Sequence, residues 1–593
     1  MQLTTEQKSI LQSSQNITIN AVAGSGKTTT LIEFAKVLSP QSSILYLAFN
    51  KSVKIEAEKK FKEANLQNVQ VETAHSLAYK HVVYGNGYKV KSNSYTTTEI
   101  ADLLALKGSN EKHTEYILAN HVNKYMSFFC NSNVQKVQEL NYSSLITDEK
   151  AAAFVNNWYN YIVQQTRLLL AKMNAGEIEV THDFYLKKFQ LYQPILQYNY
   201  IFFDEGQDAS PAMLDIFLKQ PAIKVMVGDA HQQIYGWRFA VNALEKTNFT
   251  QHHLSTSFRF PPAIARLAKE ILQWKKHLTN FAPIEIIGKG DSKNIKTKAV
   301  IARTNLGLLL TAIEYLTEKP QLKSIYFEGN IQSYTYADDG ASLYDVLNLY
   351  NGKHELIRDT LIKKMTSIDD LEEYIEQTED VQLSMMVEIV KEYGNEIPGI
   401  IKRLKDKHID GNDKSEAEII FSTVHRCKGM EYDSIHLVND FITEEKIIQL
   451  KENSNQQFTI DKILEEINLL YVAITRTKNL LYIPEKLLPA TFISAPNIHV
   501  LKMLTKQEKE QAKQVSKGVK KVHINQTENI QKAYSISDKR LTHKSAYNTW
   551  NESLDDELRT LFHRGISMPE MANYFGRTKG AIYSRIKKLG LLE

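Results

Sequence analysis

Between Ile17 and Leu31 the chain reads ITINAVAGSGKTTTL. Ile17, Ile19 and Ala21 alternate as in a short strand, Gly24-Ser25-Gly26 form a glycine loop, and Lys27-Thr28-Thr29 open a helix. That order predicts a phosphate cradle: glycines let successive backbone N–H groups turn inward, and the helix adds its positive end. Ala23, Gly24, Ser25, Gly26 and Thr29 would line it. Lys27 would reach the outer phosphates of ATP, and the Thr28 hydroxyl would hold Mg²⁺. Ala21 stands where the usual pattern has its first glycine, so a plain glycine turn capping a helix is the competing reading. A second pair, Asp204-Glu205, follows the apolar stretch Tyr200-Ile201-Phe202-Phe203. A carboxylate at the C-terminal end of a buried strand lies where α/β folds bind ligands. Asp204 would hold the water shell of Mg²⁺, and Glu205 would orient and deprotonate an attacking water. An acid-rich helix start is the plainer alternative.

These residues need sheets to hold them. SSILYLAFN at 42–50 is a short, nearly unbroken apolar run, as in a parallel strand covered on both faces. A helical stretch (KSVKIEAEKKFKEA) and a second candidate strand (69–79) follow, and such repeats favour a doubly wound α/β fold. Helical spacing then dominates residues 86–188. Strands return near 198–208, 222–239 and 298–305, helices at 343–408, strands at 418–425 and 434–440, and a helix over 465–480. The simplest parse is two α/β cores, each with a helical insert. The first core takes 1–85 and 189–255 around the insert 86–188. The second takes 256–342 and 409–485 around the shorter insert 343–408.

Residues 486–545 read as a Lys-rich linker, with seven lysines and two glutamates over 502–521. Residues 546–593 read as a small all-α, helix-turn-helix-like module. Ser553 would cap a helix with Leu554, Leu558, Leu561 and Phe562 on one face. Ser567 and Glu570 have capping-box spacing, Gly576 makes the turn, and Thr578 would start a helix with Ala581, Ile582, Ile586 and Leu589 inward. Residues 501–593 hold 18 Lys and Arg against 10 Asp and Glu, whereas the whole chain is only +4. A basic tail on a slightly acidic body suggests a polyanionic partner.

At 593 residues the chain exceeds one core and calls for roughly three to five domains. Cys130 and Cys427 are the only cysteines, which excludes a disulfide framework and a Cys-based zinc site. His252-His253 lacks metal-ligand spacing. The N-terminus is polar, without a signal peptide, and LGLLLTAIEYL at 306–316 is too short to span a bilayer. The expectation is a cytoplasmic protein without a membrane partner, nucleoid-associated if bacterial.

Over residues 1–485 the ordered motifs resemble the UvrD/Rep/PcrA group of superfamily 1 helicases. LTTEQ (3–7) is similar to the Q motif, where Gln7 would read adenine, and AVAGSGKT to the family's P-loop. FFDEGQD (202–208) matches the DExQD box. VGDAHQQIYGWR (227–238) is like motif III and carries Asp229, Gln232, Tyr235, Trp237 and Arg238. LSTSFR (254–259) puts Phe258 where an aromatic stacks on adenine and Arg259 where the family contacts the γ-phosphate. FSTVHRCKGMEYD (421–433), with Thr423, His425, Gly429 and Glu431, is similar to motif V. LLYVAITRTK (469–478) puts Arg476 at the arginine-finger position of motif VI. VHRCKGMEYDSIHLVNDF looks closer to the F-box DNA helicase branch, although no F-box is seen.

The resemblance implies two RecA-like P-loop cores, DNA-stimulated ATP hydrolysis with Mg²⁺, and 3′→5′ movement on single-stranded DNA. Duplex unwinding in repair or recombination would follow. The charge balance agrees, because Lys27 and Mg²⁺ neutralise only part of a triphosphate and phosphoryl transfer needs further cations. Phe49, His75, Tyr235, Trp237 and Arg238 are expected to stack on bases or touch phosphates, and Thr423 and His425 to line the same DNA path. Arg577, Lys579, Arg585, Lys587 and Lys588 would make one side of the last helix basic, for duplex phosphates. Two rivals remain. One is a P-loop ATPase acting as a DNA-bound sensor or regulator, the other a non-enzymatic DNA-binding protein.

Overall fold

The computed structural model describes residues 2–108, 112–282, 284–319, 321–329, 331, 340–409, 414–453, 457–502 and 552–563, with 566, 568–577, 582, 585, 586 and 589 beyond. They fall into two compact units, Met1–Thr505 and Lys506–Glu593.

The first sheet of the larger unit runs β3-β2-β4-β5-β1-β6, parallel throughout. Its strands are β1 (Ile17–Ala21), β2 (Ile44–Ala48), β3 (Val69–Thr73), β4 (Tyr200–Phe203), β5 (Ile223–Gly228) and β6 (Thr250–Leu254). Residues alternate between two cores. Ile44 and Tyr46 join Ile17, Ile19, Phe202 and Val225 beneath the helix Lys27–Val37. Leu45, Leu47, Ile201, Phe203 and Met226 face the other way, into the core shared with the first insert. Burial on both faces accounts for the unbroken apolar runs.

A two-stranded pair, β7 (Thr256–Ser257) and β8 (Ile287–Gly288), precedes the second sheet. That sheet runs β10-β11-β9-β12-β13-β14, again parallel. Its strands are β9 (Lys298–Ala302), β10 (Ile325–Phe327), β11 (Ile419–Thr423), β12 (Tyr432–Leu437), β13 (Thr477–Pro484) and β14 (Ile498–Leu501). Two parallel α/β sheets fit a RecA-like helicase fold.

Three expectations are corrected here. The strand at 69–79 stops at Thr73, where a capping box with Ser76 starts the helix Ala74–Ala78. The helix at 465–480 instead spans Gln457–Ile474, and Thr477 already belongs to β13. Its break is set by pairing, since the Arg476 carbonyl accepts the Tyr432 N–H at 3.0 Å and begins the ladder with β12. The expected linker from 486 in fact holds β14, which extends the second sheet to Leu501.

The first insert carries the helices Thr97–Leu103, Thr114–Asn131, Glu149–Ala175 and His182–Tyr192. The second carries Leu343–Tyr350, Ile368–Thr378, Val381–Tyr393 and Ile397–Lys407. The inserts share one apolar cluster, in which Ile117, Leu118 and Tyr125 meet Leu371 and Tyr374. Polar contacts fasten them further. Glu379, at a left-handed φ of 49°, accepts from the N–H groups of Thr147 and Asp148 and from the Thr147 hydroxyl. His121 donates from Nε2 to the Gln377 carbonyl at 3.0 Å and accepts from the Tyr142 hydroxyl at Nδ1, 2.9 Å away.

In the smaller unit, helices Glu552–His563 and Met568–Tyr574 enclose Leu558, Met571, Ala572, Phe575, Ile582 and Ile586. Leu554, Leu561, Phe562 and Leu589 flank that core as expected. The first helix begins at Glu552, one residue ahead of the expected cap Ser553. Of the proposed DNA contacts, Arg577 is buried, and Arg585 makes a two-pronged pair with Asp555 at 2.7 and 2.5 Å. Ser567, Thr578, Lys579, Ala581, Lys587 and Lys588 lie outside the described residues.

Burial, and then the charge of Lys124, lowers the His121 pKa to about 4. An unfolded histidine protonates near 6.5, so the unfolded chain binds more protons between these values. The contribution of neutral His121 is complete above about pH 6.5 and is lost as pH falls toward 4, on the order of 3 kcal/mol in all. Urea midpoints measured from pH 7 to 4.5 should therefore fall less steeply for His121→Asn than for wild type. Parallel curves would refute this.

Candidate functional site

The glycine loop is shaped by its own backbone and by a neighbour. Gly24 and Gly26 take φ of 73° and 82°, which side chains resist. At Gly24 the constraint is double, because a Cβ there would lie 2.6 Å from Cβ of Arg259. The Gly24 carbonyl also accepts the Phe258 N–H at 2.9 Å. The loop and the LSTSFR segment are thus pressed together, leaving the Phe258 ring half exposed at their lip. The helix Lys27–Val37 has no side-chain cap, so its first amides are open, and the buried Ser25 hydroxyl has no hydrogen-bond partner. Uncapped N–H groups and an orphaned hydroxyl on a tight loop fit a phosphate chain.

Gln7 is committed locally. It accepts from the Thr4 N–H at 2.9 Å and donates to the Thr30 hydroxyl at 3.0 Å, which fixes the amide and leaves it one further N–H and one further lone pair. Thr28 and Thr29 are half-buried in the first turn of the helix.

Lys27 reaches both oxygens of Glu205 at 3.0 Å. Burial opposes its charge, but Glu205, then Asp204 and Asp229, outweigh that and raise its pKa. Burial, followed by the charge of Glu205, pushes the Asp204 carboxyl up. Burial works the same way on Glu205, yet Lys27 and then Lys428 hold it below the usual carboxylate range. Glu205 is therefore the standing carboxylate, and its left-handed φ of 53° aims it at Lys27. Asp204 accepts from Tyr46 at one oxygen and from the Glu205 N–H at the other. Each oxygen keeps a lone pair for metal-bound water. Mg²⁺ commonly takes one or two side chains beside phosphates and water, and a hydroxyl and a carboxylate such as those of Thr28 and Asp204 are of the oxygen type it takes.

Across the cleft stand two guanidiniums. Arg259 donates to Glu431 at 2.9 Å and to the Thr475 carbonyl at 3.1 Å. Arg476 is 2% exposed and donates only to neutral oxygens, those of Val472, Met430, Gln232 and Thr475. Burial, then the charge of Arg259, brings its pKa down to about 10. Two neighbouring cations, one buried without a carboxylate, make a receptor for an anion.

The proposed DNA contacts converge in part. Tyr235 stacks on Phe49 with ring centroids 5.5 Å apart, and Trp237 and His425 lie 6.4 and 6.0 Å from it. Arg238 sits 4.5 Å over the Trp237 ring, which is 59% exposed. His75 stands apart, beside Asp183 and Tyr185 of the first insert. Thr423 is buried, and its carbonyl takes the N–H groups of Arg426 and Cys427.

Residues 3–251 match the family model of the UvrD/REP helicase N-terminal domain. This is a UvrD-like chain. It is 30% identical to F-box DNA helicase 1 of Gallus gallus over 519 residues, covering 82% of this chain and 49% of that protein. It is 28% identical to F-box DNA helicase protein 1 of Schizosaccharomyces pombe over 528 residues, 80% of this chain and 56% of that one. A probable DNA helicase of Mycoplasma pneumoniae is 22% identical over 78% of this chain and 79% of its own length. The UvrD-like chain thus lies near the F-box DNA helicase branch, and it spans about half the length of those two relatives.

Sequence reasoning missed two residues of the UvrD-like cleft. Lys428 bonds Asp208 and the Gln232 carbonyl, fastening the second core to the DEGQD segment. Tyr471, buried, donates to Asp229 at 2.9 Å. Both lie inside motifs that were read, but only the fold shows which way they point.

The crowding at Gly24 yields a direct comparison. Gly26→Ala meets only its backbone strain, with nothing closer than 3.5 Å to the new Cβ, whereas Gly24→Ala adds the collision with Arg259. Melting measured without nucleotide should show Gly24→Ala as the less stable by about 1–3 kcal/mol. Equal losses would mean the two segments are not pressed together.

Proposed function

We propose that the protein is an ATP-dependent DNA helicase, a translocase on single-stranded DNA whose ATP hydrolysis is stimulated by that strand. The observation that carries the reading is Arg476, a buried cation with neutral partners, beside Arg259 and across from the Lys27–Glu205 pair. Phosphoryl transfer asks for cations at the γ-phosphate and a base for water. Lys27 and the loop amides would hold the phosphates of ATP, Thr28 and Asp204 would hold Mg²⁺, and Mg²⁺ would offset part of the phosphate charge. Glu205 would take the proton of the attacking water. Arg259 and Arg476 would close on the same phosphate from the second core, so that nucleotide draws the cores together and hydrolysis lets them part.

Phe49, Tyr235, Trp237, Arg238 and His425 would grip bases and phosphates of the strand. The direction 3′→5′, and work in repair or recombination, are what the UvrD-like resemblance implies. The helix-turn-helix-like reading of the smaller unit is kept as a phosphate anchor for duplex DNA, resting on the net basic charge of 501–593.

Lys27→Ala should lower ATP hydrolysis by about a hundredfold or more, with and without single-stranded DNA. Activity that survives it, or wild-type activity indifferent to DNA, sinks the reading. Strand displacement on 3′- and 5′-tailed duplexes tests direction, and intact ATPase without displacement would favour the sensor instead.

Truncation after Thr505 keeps β14 and removes the smaller unit. Duplex affinity and its dependence on salt should both fall while ATPase persists. Unchanged affinity would rule out the anchor.

A further inference from the structure

One face of the helix Gln457–Ile474 lies along the motif III segment of the first core. At its far end Arg476 and Tyr471 meet Gln232 and Asp229 in the nucleotide cleft. One turn back, the buried Asn468 donates to the Gln233 carbonyl at 2.9 Å. A further turn back, Glu465 accepts the Gly236 N–H at 3.1 Å. Spacings of three keep Glu465, Asn468 and Tyr471 on one stripe. The stripe ends where the chain turns outward into Trp237 and Arg238.

We propose that Glu465, seconded by Asn468, is a positioning residue that carries the state of the nucleotide cleft to the Trp237–Arg238 turn. The turn Gly236–Arg238 has no side-chain cap of its own, so the carboxylate of the opposite core holds its first N–H. The fit is close, for a Cβ on Gly236 would lie 2.3 Å from a Glu465 oxygen. Gly236 itself does not have the positive φ that would demand glycine, so glycine there leaves room for the carboxylate. When the second core shifts on the phosphates, Tyr471, Asn468 and Glu465 move together on one helix, with Arg476 just beyond its end. The exposed ring of Trp237 is repositioned with them. Burial, and then the charge of Glu466, lifts the Glu465 carboxyl to about 7, so a neutral Gln resembles a form the native residue already populates.

The inference rests on the proposed ATP site but not on DNA-stimulated hydrolysis. Trp237 emission is isolated by subtracting the spectrum of the same protein carrying Trp237→Phe. With a non-hydrolysable ATP analogue and no DNA, wild type should show a nucleotide-dependent change in that emission. Glu465→Ala and Gly236→Ala should each lose most of it, and Glu465→Gln should keep most of it. Affinity of Glu465→Ala for a fluorescent ADP should stay within about twofold of wild type, and the double variant should lose no more than either single one.

No nucleotide response in wild type, an intact response in Glu465→Ala, or loss in Glu465→Gln equal to that in Glu465→Ala would each overturn the inference. So would a fall in nucleotide affinity parallel to the loss of response. A normal Trp237 response together with hydrolysis indifferent to single-stranded DNA would instead overturn the helicase reading and leave the coupling intact.

Discussion

A guanidinium removed from water without a carboxylate beside it is unfavourable, and Arg476 is held in that position by carbonyls and an amide. The cost of such burial is several kcal/mol unless an opposite charge arrives. Much of the surrounding architecture follows from keeping that site ready. The helix must stop at Ile474 so that Arg476 sits at the edge of the sheet. Motif III must approach closely enough for Gln232 to accept one guanidinium N–H. Arg259 must be fixed against Gly24 and Glu431, where its charge keeps Arg476 short of compensation.

The acid pair on the other side obeys the complementary rule. Lys27 and then Lys428 hold the Glu205 carboxyl low, while burial and the charge of Glu205 push up that of Asp204, which accepts from Tyr46. Lysines from two different cores thus set the charge on one carboxylate. Lys428 ties that balance to the placement of the second core through Asp208.

Much of this was legible in the chain. The P-loop showed itself because glycine, lysine and threonine each have one job there at fixed spacing. The two cores showed themselves because strands buried on both faces leave unbroken apolar runs. Helix ends were less legible: Thr73 caps a helix inside what reads as a strand, and Arg476 leaves a helix because Tyr432, far away in sequence, claims its carbonyl. β14 escaped because a four-residue edge strand carries too little pattern beside a Lys-rich stretch. Arg577 and Arg585 read as a basic face in sequence, which gives no sign that Asp555, 30 residues earlier, pairs with Arg585. Lys428 and Tyr471 could not be singled out because residue type alone does not give direction.

The contact between the two inserts has a mechanical consequence. Glu379 and Gln377 of the second insert hold Thr147, Asp148 and His121 of the first, far along the chain from the ties that Lys428 and Asn468 make to the first core. A displacement of the second core that strains the ties at the cleft has therefore to break the insert bonds as well, or carry the first insert along with it.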